Sequence, residues 1–390
     1  MRTALSLIFC FQFVLLWGQS NPGNYRFSKD ILTQIEKDTV VWKYQTGATE
    51  MSFSGYYEQV LHIWDKNGVR KPKNDPKDSL YIVNSQLIPA REYIIQQAKK
   101  APLVIINEAH HLPSHRMFTR SLLQDLYDNG YRYLGLEALF DPAINQRKFA
   151  VQESGYYIQE PEFGNLIYEA LRIGYTLFGY EAASNKNGKE REIEQAENIQ
   201  EFIKNNPNGK VLIHCGYAHA FENEYNPWEK AMAGRLKDML QVDPFTIDQT
   251  MFLEKSDPQN NTLFTRMNTT QQPVVLIDEN GAVFRGKNAV KQTDVVVIHP
   301  PTVYINQRPS WQFQGKEKYT ISLAEIQSQL PVLVTAYRVG EYEKNGIPAD
   351  LIEITNSNSP RDLYLKKGRY TLVFQDKNYL KIDQYDVVIQ

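Results

Sequence analysis

Between residues 102 and 300 short aliphatic runs alternate with longer amphipathic stretches, and no other feature of the chain restricts its fold as tightly. "PLVIIN" (Pro102 to Asn107), "YRYLGLEA" (Tyr131 to Ala138), "YTLFGYEA" (Tyr175 to Ala182) and "KVLIHCG" (Lys210 to Gly216) are the lengths of strands, and their near-continuous apolar character predicts cover on both faces. Among them lie two helical stretches. "SHRMFTRSLLQDLYDNG" starts near Ser114 and stops at Gly130, and "KEREIEQAENIQEFIKNN" (Lys189 to Asn206) carries the packing stripe Ile193, Ala196, Ile199, Phe202 and Ile203. The pattern continues with "PWEKAMAGRLKDMLQ", a helix with Pro227 in its first turn, and with "PFTIDQT", a strand. "PVVLID" and "TDVVVIHP" (Thr293 to Pro300) are expected to finish the same sheet. Such alternation specifies an α/β domain, a mostly parallel sheet flanked by helices, over residues 98–312.

The flanks differ. Residues 21–97 mix aromatic and polar residues around the break "KNGVRKPKNDPKDS" (Lys66 to Ser79), which suggests a mixed or helical lead-in. Over residues 316–390 strands follow one another without long helices ("PVLVTAYRV", "DLIEI", "LYLKKGRYTLVFQD", "YDVVIQ"), as in a small all-β, sandwich-like domain. At the other end Arg2 precedes the apolar run Ala4 to Trp17, and "GQS" supplies small residues for cleavage. Residues 1–20 are therefore expected to be a signal peptide, making the protein exported, periplasmic or secreted. An uncleaved membrane anchor is the alternative, although the run is short for a span. After removal of the signal, Cys215 is the remaining cysteine, so no intrachain disulfide is expected. With 43 Lys and Arg against 45 Asp and Glu, no basic field exists to attract nucleic acid; a small molecule or a peptide is the expected partner.

In an open parallel sheet, ligands bind beyond the carboxyl ends of the strands. The first strand ends at Glu108 and His110, the second at Glu137, the third at Glu181 and the fourth at His219. Carboxylates crowded at such a rim repel unless they share a proton, meet a cation or bind a metal. Six of the seven histidines, all but His62, fall at or beside strand ends. Neutral imidazole serves as a metal ligand or a general base, so Glu108, His110, Glu137 and His219 can be a metal set or a metal-free acid–base site. His111 and His115, four residues apart, are weaker candidates, and His214 inside its strand suits a satisfied core imidazole. Cys215 has no base on its own face of the strand, because adjacent strand residues point oppositely. Arg191 and Glu192 open the helix that follows Glu181 and should reach the same rim, where Arg191 could neutralise carboxylates or hold an oxyanion.

These residues occur in an order that resembles the superfamily of erythromycin esterases, ChaN-type haem-binding proteins and TraB/Tiki proteins. "VIINEAHHLPSHRMFTRSLLQDLYDNGYRYLGLEAL", "KEREIEQAENIQEFI", "KVLIHCGYAHA" and "MAGRLKDMLQVDPFTID" carry the resemblance, which spans roughly Ala101 to Pro300. It implies that Glu108 and Glu137 are the family's two glutamates, that Arg191 and Glu192 are its arginine–acid helix, and that Gly216 to His219 is its second strand motif. His110 matches the spacing of ChaN-like members and His111 that of the esterases. Asn107 stands where a glycine usually precedes the first glutamate, and a side chain there is expected to narrow the approach of substrate or backbone.

The expectation is therefore an exported hydrolase. His110 or His111 with Glu108 would activate water against an ester, lactone or peptide bond, while Glu137, His219 and Arg191 orient the reacting group. A divalent metal could assist. The alternative is a non-catalytic protein that binds haem or another metal complex.

Overall fold

The structure, a computed structural model, describes residues 25–390 except 74, 184 and 327–329. The expected export segment, with Cys10, lies outside the described residues. Four helices lead in: α1 (Ser28–Lys37), α2 (Lys43–Phe53), α3 (Tyr57–Asp65) and α4 (Pro76–Val83). They are followed by β1 (Gln86–Pro89) and α5 (Ala90–Ala98). The alternating region then runs β2 (Leu103–Glu108), α6 (Pro113–Asp128), β3 (Tyr131–Leu136), α7 (Ile144–Arg147), α8 (Pro161–Ile173), β4 (Thr176–Gly179), α9 (Gly188–Asn205) and β5 (Lys210–Gly216). After it come the two-residue strands β6 (Glu224–Tyr225) and β7 (Glu229–Lys230), α10 (Met232–Leu240), β8 (Phe245–Asp248), α11 (Leu263–Met267), β9 (Val274–Ile277) and β10 (Val295–Val296). Among the described residues no helix is long and apolar enough to cross a membrane.

Six strands form one parallel sheet in the order β10-β8-β2-β5-β3-β4. Every residue of β2 is buried, as its unbroken apolar run predicts. The chain leaves a gap between β2 and β3 that β5 later fills, and the register then decides what meets at the rim. Glu108 pairs with Gly216, and Leu136, the residue before Glu137, pairs with His214. Three strand exits from distant parts of the sequence thus lie side by side. On one face α6 and α8 bury Leu122, Leu126, Phe163, Leu166 and Ile167 against Ile106 and Leu134. On the other, α9 and α10 bury Ala196, Ile199, Met232 and Leu236 against Ile105 and Ile213.

Three local expectations change. The helix expected from Pro227 begins only at Met232, because Glu229 takes a positive φ and pairs with the Tyr225 segment. "PVVLID" does not join the main sheet. It forms β9, which pairs antiparallel with β1 from the lead-in, above an aromatic cluster of Phe252, Phe264 and Phe284. Helix α8 was not anticipated from the sequence at all, although Glu160 caps it by accepting from Phe163 N and Pro161 sits in its first turn.

Beyond the short pair β11 (Tyr304–Ile305) and β12 (Arg308–Pro309), the tail is antiparallel. It comprises β13 (Glu317–Thr320), β14 (Val332–Arg338), β15 (Asp350–Ile354), β16 (Asp362–Leu365), β17 (Gly368–Gln375) and β18 (Lys381–Ile389). A four-stranded sheet, β15-β14-β17-β18, and the pair β13-β16 share one apolar core. This tail braces α8: Asn165 Nδ2 donates to Ala349 O at 2.9 Å, Arg338 to Asn165 Oδ1 at 2.6 Å, and Lys316 pairs with Glu162 at 2.5 Å.

Asn107, in the place expected of a glycine, is fully buried and turned into the structure. Its Nδ2 donates to Tyr217 O at 2.7 Å and to Asp248 Oδ1 at 2.9 Å, and its Oδ1 accepts from Gln249 N at 2.7 Å. One amide therefore ties the exits of β2, β5 and β8 together. Asn107→Ala strands the buried Gln249 N–H, an orphan that costs about 1–3 kcal/mol, and removes the donor from the half-buried Tyr217 carbonyl. Urea unfolding should show a loss of at least that size, and an unchanged midpoint would remove Asn107 from this role.

Candidate active site

At the centre of the rim is Glu108, 1% exposed and bound through both oxygens. Arg116 grips it bidentately, Nε to Oε2 and Nη2 to Oε1, each at 2.7 Å. His110 Nδ1 meets Oε1 and His214 Nε2 meets Oε2, both at 2.9 Å. Burial alone would raise the Glu108 carboxyl, but Arg116, then His214 and His110, outweigh it and hold it well below the usual range. An ionised Glu108 can only accept, so His110 and His214 must each present an N–H to it. The tautomers follow. In its neutral form His110 then keeps its lone pair on Nε2, and neutral His214 keeps one on Nδ1, which the Thr119 hydroxyl reaches at 3.3 Å.

His110 lines a pocket of about 110 Å³ together with Glu108, Glu137, Tyr157, Glu181 and Arg191. Its ring stacks on Tyr157 at 3.8 Å and meets the edge of Tyr217 at 5.2 Å. Gly216 makes room for it: a Cβ there would lie 2.5 Å from His110 Cε1 and 2.6 Å from Nε2. The glycine that opens Gly-x-x-His is thus required by the imidazole of another strand exit. Around the mouth, Phe140 (62% exposed) and Tyr156 (47%) offer apolar surface to a ligand.

Across the pocket from Glu108 is a second charge cluster. Glu137 Oε2 accepts from Gly216 N at 2.6 Å, and its Oε1 accepts from Arg191 Nη2 at 2.5 Å. Arg191 also pairs twice with Glu181, at 2.9 and 2.5 Å, and its Nη1 lies 2.9 Å from His219 Nε2. When His219 is neutral with its lone pair on Nε2, these contacts engage four of the five guanidinium N–H groups and leave one on Nη1. His219 is held from behind, its Nδ1 against the buried Glu192, which also accepts from Met232 N at 2.7 Å. Burial pushes His219 down, but Glu137 and Glu192 reverse this and raise it above its ordinary value. Burial likewise pushes Glu137 up, and His219, His110, Arg191 and the Gly216 N–H bring it down to about 2.

The structure brings Glu108, His110, Glu137, Arg191 and Glu181 to one pocket, with His219 and Glu192 directly behind Arg191. His111 and His115 go elsewhere. A tight turn after β2, with Leu112 N bonded to Ala109 O, swings His111 away to stack on Trp64 at 3.5 Å, fully buried. His115 turns inward on α6, where its Nδ1 accepts from Ala109 N. Cys215 is 1% exposed, and burial holds its thiol well above the ordinary range.

The tentative metal set does not assemble. Among the described residues no group of three or more His, Cys, Asp or Glu side chains is disposed to hold an ion. The donor chemistry explains why: Glu108 is saturated by Arg116 and two imidazoles, and Arg191 stands where a cation would have to neutralise Glu137 and Glu181. A haem is larger than a pocket whose volume falls below the roughly 300 Å³ of ordinary small-molecule sites.

Sequence reasoning passed over Arg116 and Glu160. Arg116 is wholly buried, and besides Glu108 it reaches Glu160 at 3.1 Å and His110 O at 2.9 Å. Burial outweighs Arg116 at Glu160 and pushes that carboxyl up to about 7; Tyr57 OH also bonds it, at 3.2 Å. A signal was present, since Arg116 occupies the same helical face as Thr119, Leu123 and Leu126, where a cation needs a carboxylate partner.

No family model and no curated protein matches the chain. Solved structures give distant likenesses. The type III effector HopBA1 is 13% identical with a TM-score of 0.34, covering 60% of this chain and 97% of that one. RRSP, a MARTX toxin effector domain from Vibrio vulnificus CMCP6, is 14% identical with a TM-score of 0.32, covering 60% and 47%. ChaN of Campylobacter jejuni, described with cofacial haem binding, is 12% identical with a TM-score of 0.30, covering 53% and 91%. At these values the likeness carries no functional inference.

The depressed Glu137 makes stability depend on pH. Its contribution is complete above the ordinary carboxyl value of 4.5 and is lost as pH falls from there through about 2. Unfolding midpoints measured between pH 2 and 5 should fall more steeply for the native chain than for Glu137→Gln; parallel curves would contradict the assignment.

Proposed function

We propose that the pocket is a hydrolytic site in which His110 is the general base, acting on an ester, lactone or peptide carbonyl in an exported protein. The single observation that supports this most is the setting of His110: its Nδ1–H is pinned to an ionised Glu108, and its Nε2, beside Gly216 in the pocket wall, has no hydrogen-bond partner among the described residues. A carboxylate in this position fixes the tautomer and stabilises the imidazolium that forms when the ring takes a proton. Water placed between His110 Nε2 and a substrate carbonyl loses its proton to Nε2 as its oxygen attacks the carbonyl carbon. The remaining Nη1 N–H of Arg191 is suited to the developing oxyanion. The imidazolium then returns the proton to the leaving oxygen or nitrogen as the carbonyl re-forms.

Glu108 on this reading orients the base and does not itself activate water, because all its acceptor directions are engaged. Glu137 and Glu181 hold Arg191 in place, and His219 with Glu192 position it from behind. The resemblance in motif order to the esterase, ChaN and Tiki superfamily agrees with the residue types. Phe140 and Tyr156 favour a substrate with an apolar group beside the scissile bond.

A positioned general base is worth about 10² to 10⁴ in rate. On whichever of a p-nitrophenyl ester, a lactone or a peptide library is turned over, His110→Ala should lose that much and His111→Ala should retain native turnover. Native turnover by His110→Ala would sink the reading. A stoichiometric Soret band that disappears in His110→Ala, in a protein that hydrolyses none of the three, would replace it with haem binding.

A further inference from the structure

A second cavity, of about 410 Å³, shares no lining residue with the first. Its volume is that of an ordinary small-molecule site. Leu112, Met117, Phe118, Phe252, Trp311 and Pro300 supply its apolar wall, and polar side chains, Gln271, Gln272 and Gln314 among them, line the rest. Two histidines stand in that wall, His115 and His299, their rings 4.6 Å apart.

The hydrogen bonds behind them set which proton each ring carries. His115 Nδ1 accepts from Ala109 N at 3.1 Å, so a neutral His115 carries its proton on Nε2. At His299 the chain of bonds is longer. Asn107 O can only accept, so Gln249 turns its Nε2 to it at 2.6 Å; Gln249 Oε1 therefore faces His299 Nε2 at 2.9 Å, which must be N–H. His299 is left with a lone pair on Nδ1. Neither His115 Nε2 nor His299 Nδ1 has a hydrogen-bond partner among the described residues, and His115 is only 2% exposed. Burial keeps both rings neutral, pushing His115 well below its ordinary value and His299 down to about 3.

The charged groups that share the wall are already engaged. Arg91 is paired with Asp125 and bonded to Ser121 O, and Glu254 accepts from Thr302 N at 2.6 Å and from Thr302 Oγ1 at 2.5 Å. What the two neighbouring rings lack is one acceptor for a fixed N–H and one donor for a fixed lone pair, in a cavity whose wall is part apolar and part polar. We infer that it is a second ligand site for an uncharged, largely apolar small molecule bearing a carboxamide, whose carbonyl accepts from His115 Nε2 and whose N–H donates to His299 Nδ1. An anion meets the His299 lone pair and the Glu254 carboxylate, and a cation meets the His115 N–H. Each therefore satisfies one of the two imidazole nitrogens and forgoes the hydrogen bond that the other offers, worth about two- to tenfold in affinity.

The test compares three probes with the same aryl body, N-benzylacetamide, benzylamine and phenylacetate, by calorimetric titration of the full chain. The amide is expected to bind saturably and to outbind both charged probes. His299→Phe, which keeps a ring but removes the acceptor, should weaken the amide about tenfold, the usual consequence of one lost hydrogen bond. Ser114→Trp, which fills the cavity from its partly exposed rim, should abolish binding. The proposal is overturned if either charged probe binds as tightly as the amide, if no probe saturates, or if both variants bind the amide as the native chain does. Should a variant fail to fold, the ranking of the three probes on the native chain still decides.

Discussion

The guanidinium of Arg116 holds a buried carboxylate at the end of the central strand, and most of the rim is arranged around that contact. Glu108 could not be ionised at 1% exposure without a cation in direct contact, and without ionisation the two imidazoles beside it would have no reason to present N–H groups inward. The same arginine reaches Glu160 at the cap of α8 and the carbonyl of His110. It therefore couples α6, α8 and the turn after β2 in one network. Breaking such a pair by removing one partner leaves an uncompensated charge, which is far more damaging than the pair is stabilising.

This dependence gives the terminal β-region a role that its own residues do not suggest. The tail offers no chemistry to the pocket, yet it packs along α8 through Asn165, Glu162 and Glu169. Helix α8 in turn supplies Glu160 to Arg116 and Phe163 to the pocket wall. The lead-in does the same from the other side, since Tyr57 on α3 bonds Glu160 and Trp64 on that helix stacks on His111. Segments flanking the α/β unit thus meet at the acid that balances the central arginine.

Strand β2 also separates two environments. On one side of its exit His110 lines a small, charge-lined pocket, and on the other His115 and His299 line a larger one of mixed polarity. Asn107 stands between them. Its side chain bonds the exits of β5 and β8, and its carbonyl fixes the Gln249 amide and, through it, the tautomer of His299. The side chain expected to narrow the approach to the rim instead lies wholly inside the junction and lines neither cavity.

By itself the sequence determined the elements that periodicity controls: the parallel strands, the helices between them, the antiparallel tail and the presence of ionisable residues at four strand exits. Continuous apolar runs bounded by polar residues have few other ways to bury themselves, so β2, β3, β5, α6 and α9 were legible within a residue or two. The tertiary structure decided everything that turns on direction. Insertion of β5 between β2 and β3 set which exits are neighbours, and a tight turn separated His110 from His111, which adjacency in sequence could not do. It also answered Glu108 with Arg116, which the strand-exit pattern did not point to, and set Arg191, already a candidate cation in the sequence, between Glu137 and Glu181. The physical reason is common to these cases. Patterning follows from burial, which is a property of each segment, whereas a buried charge is settled by whichever opposite group the fold brings within hydrogen-bond distance.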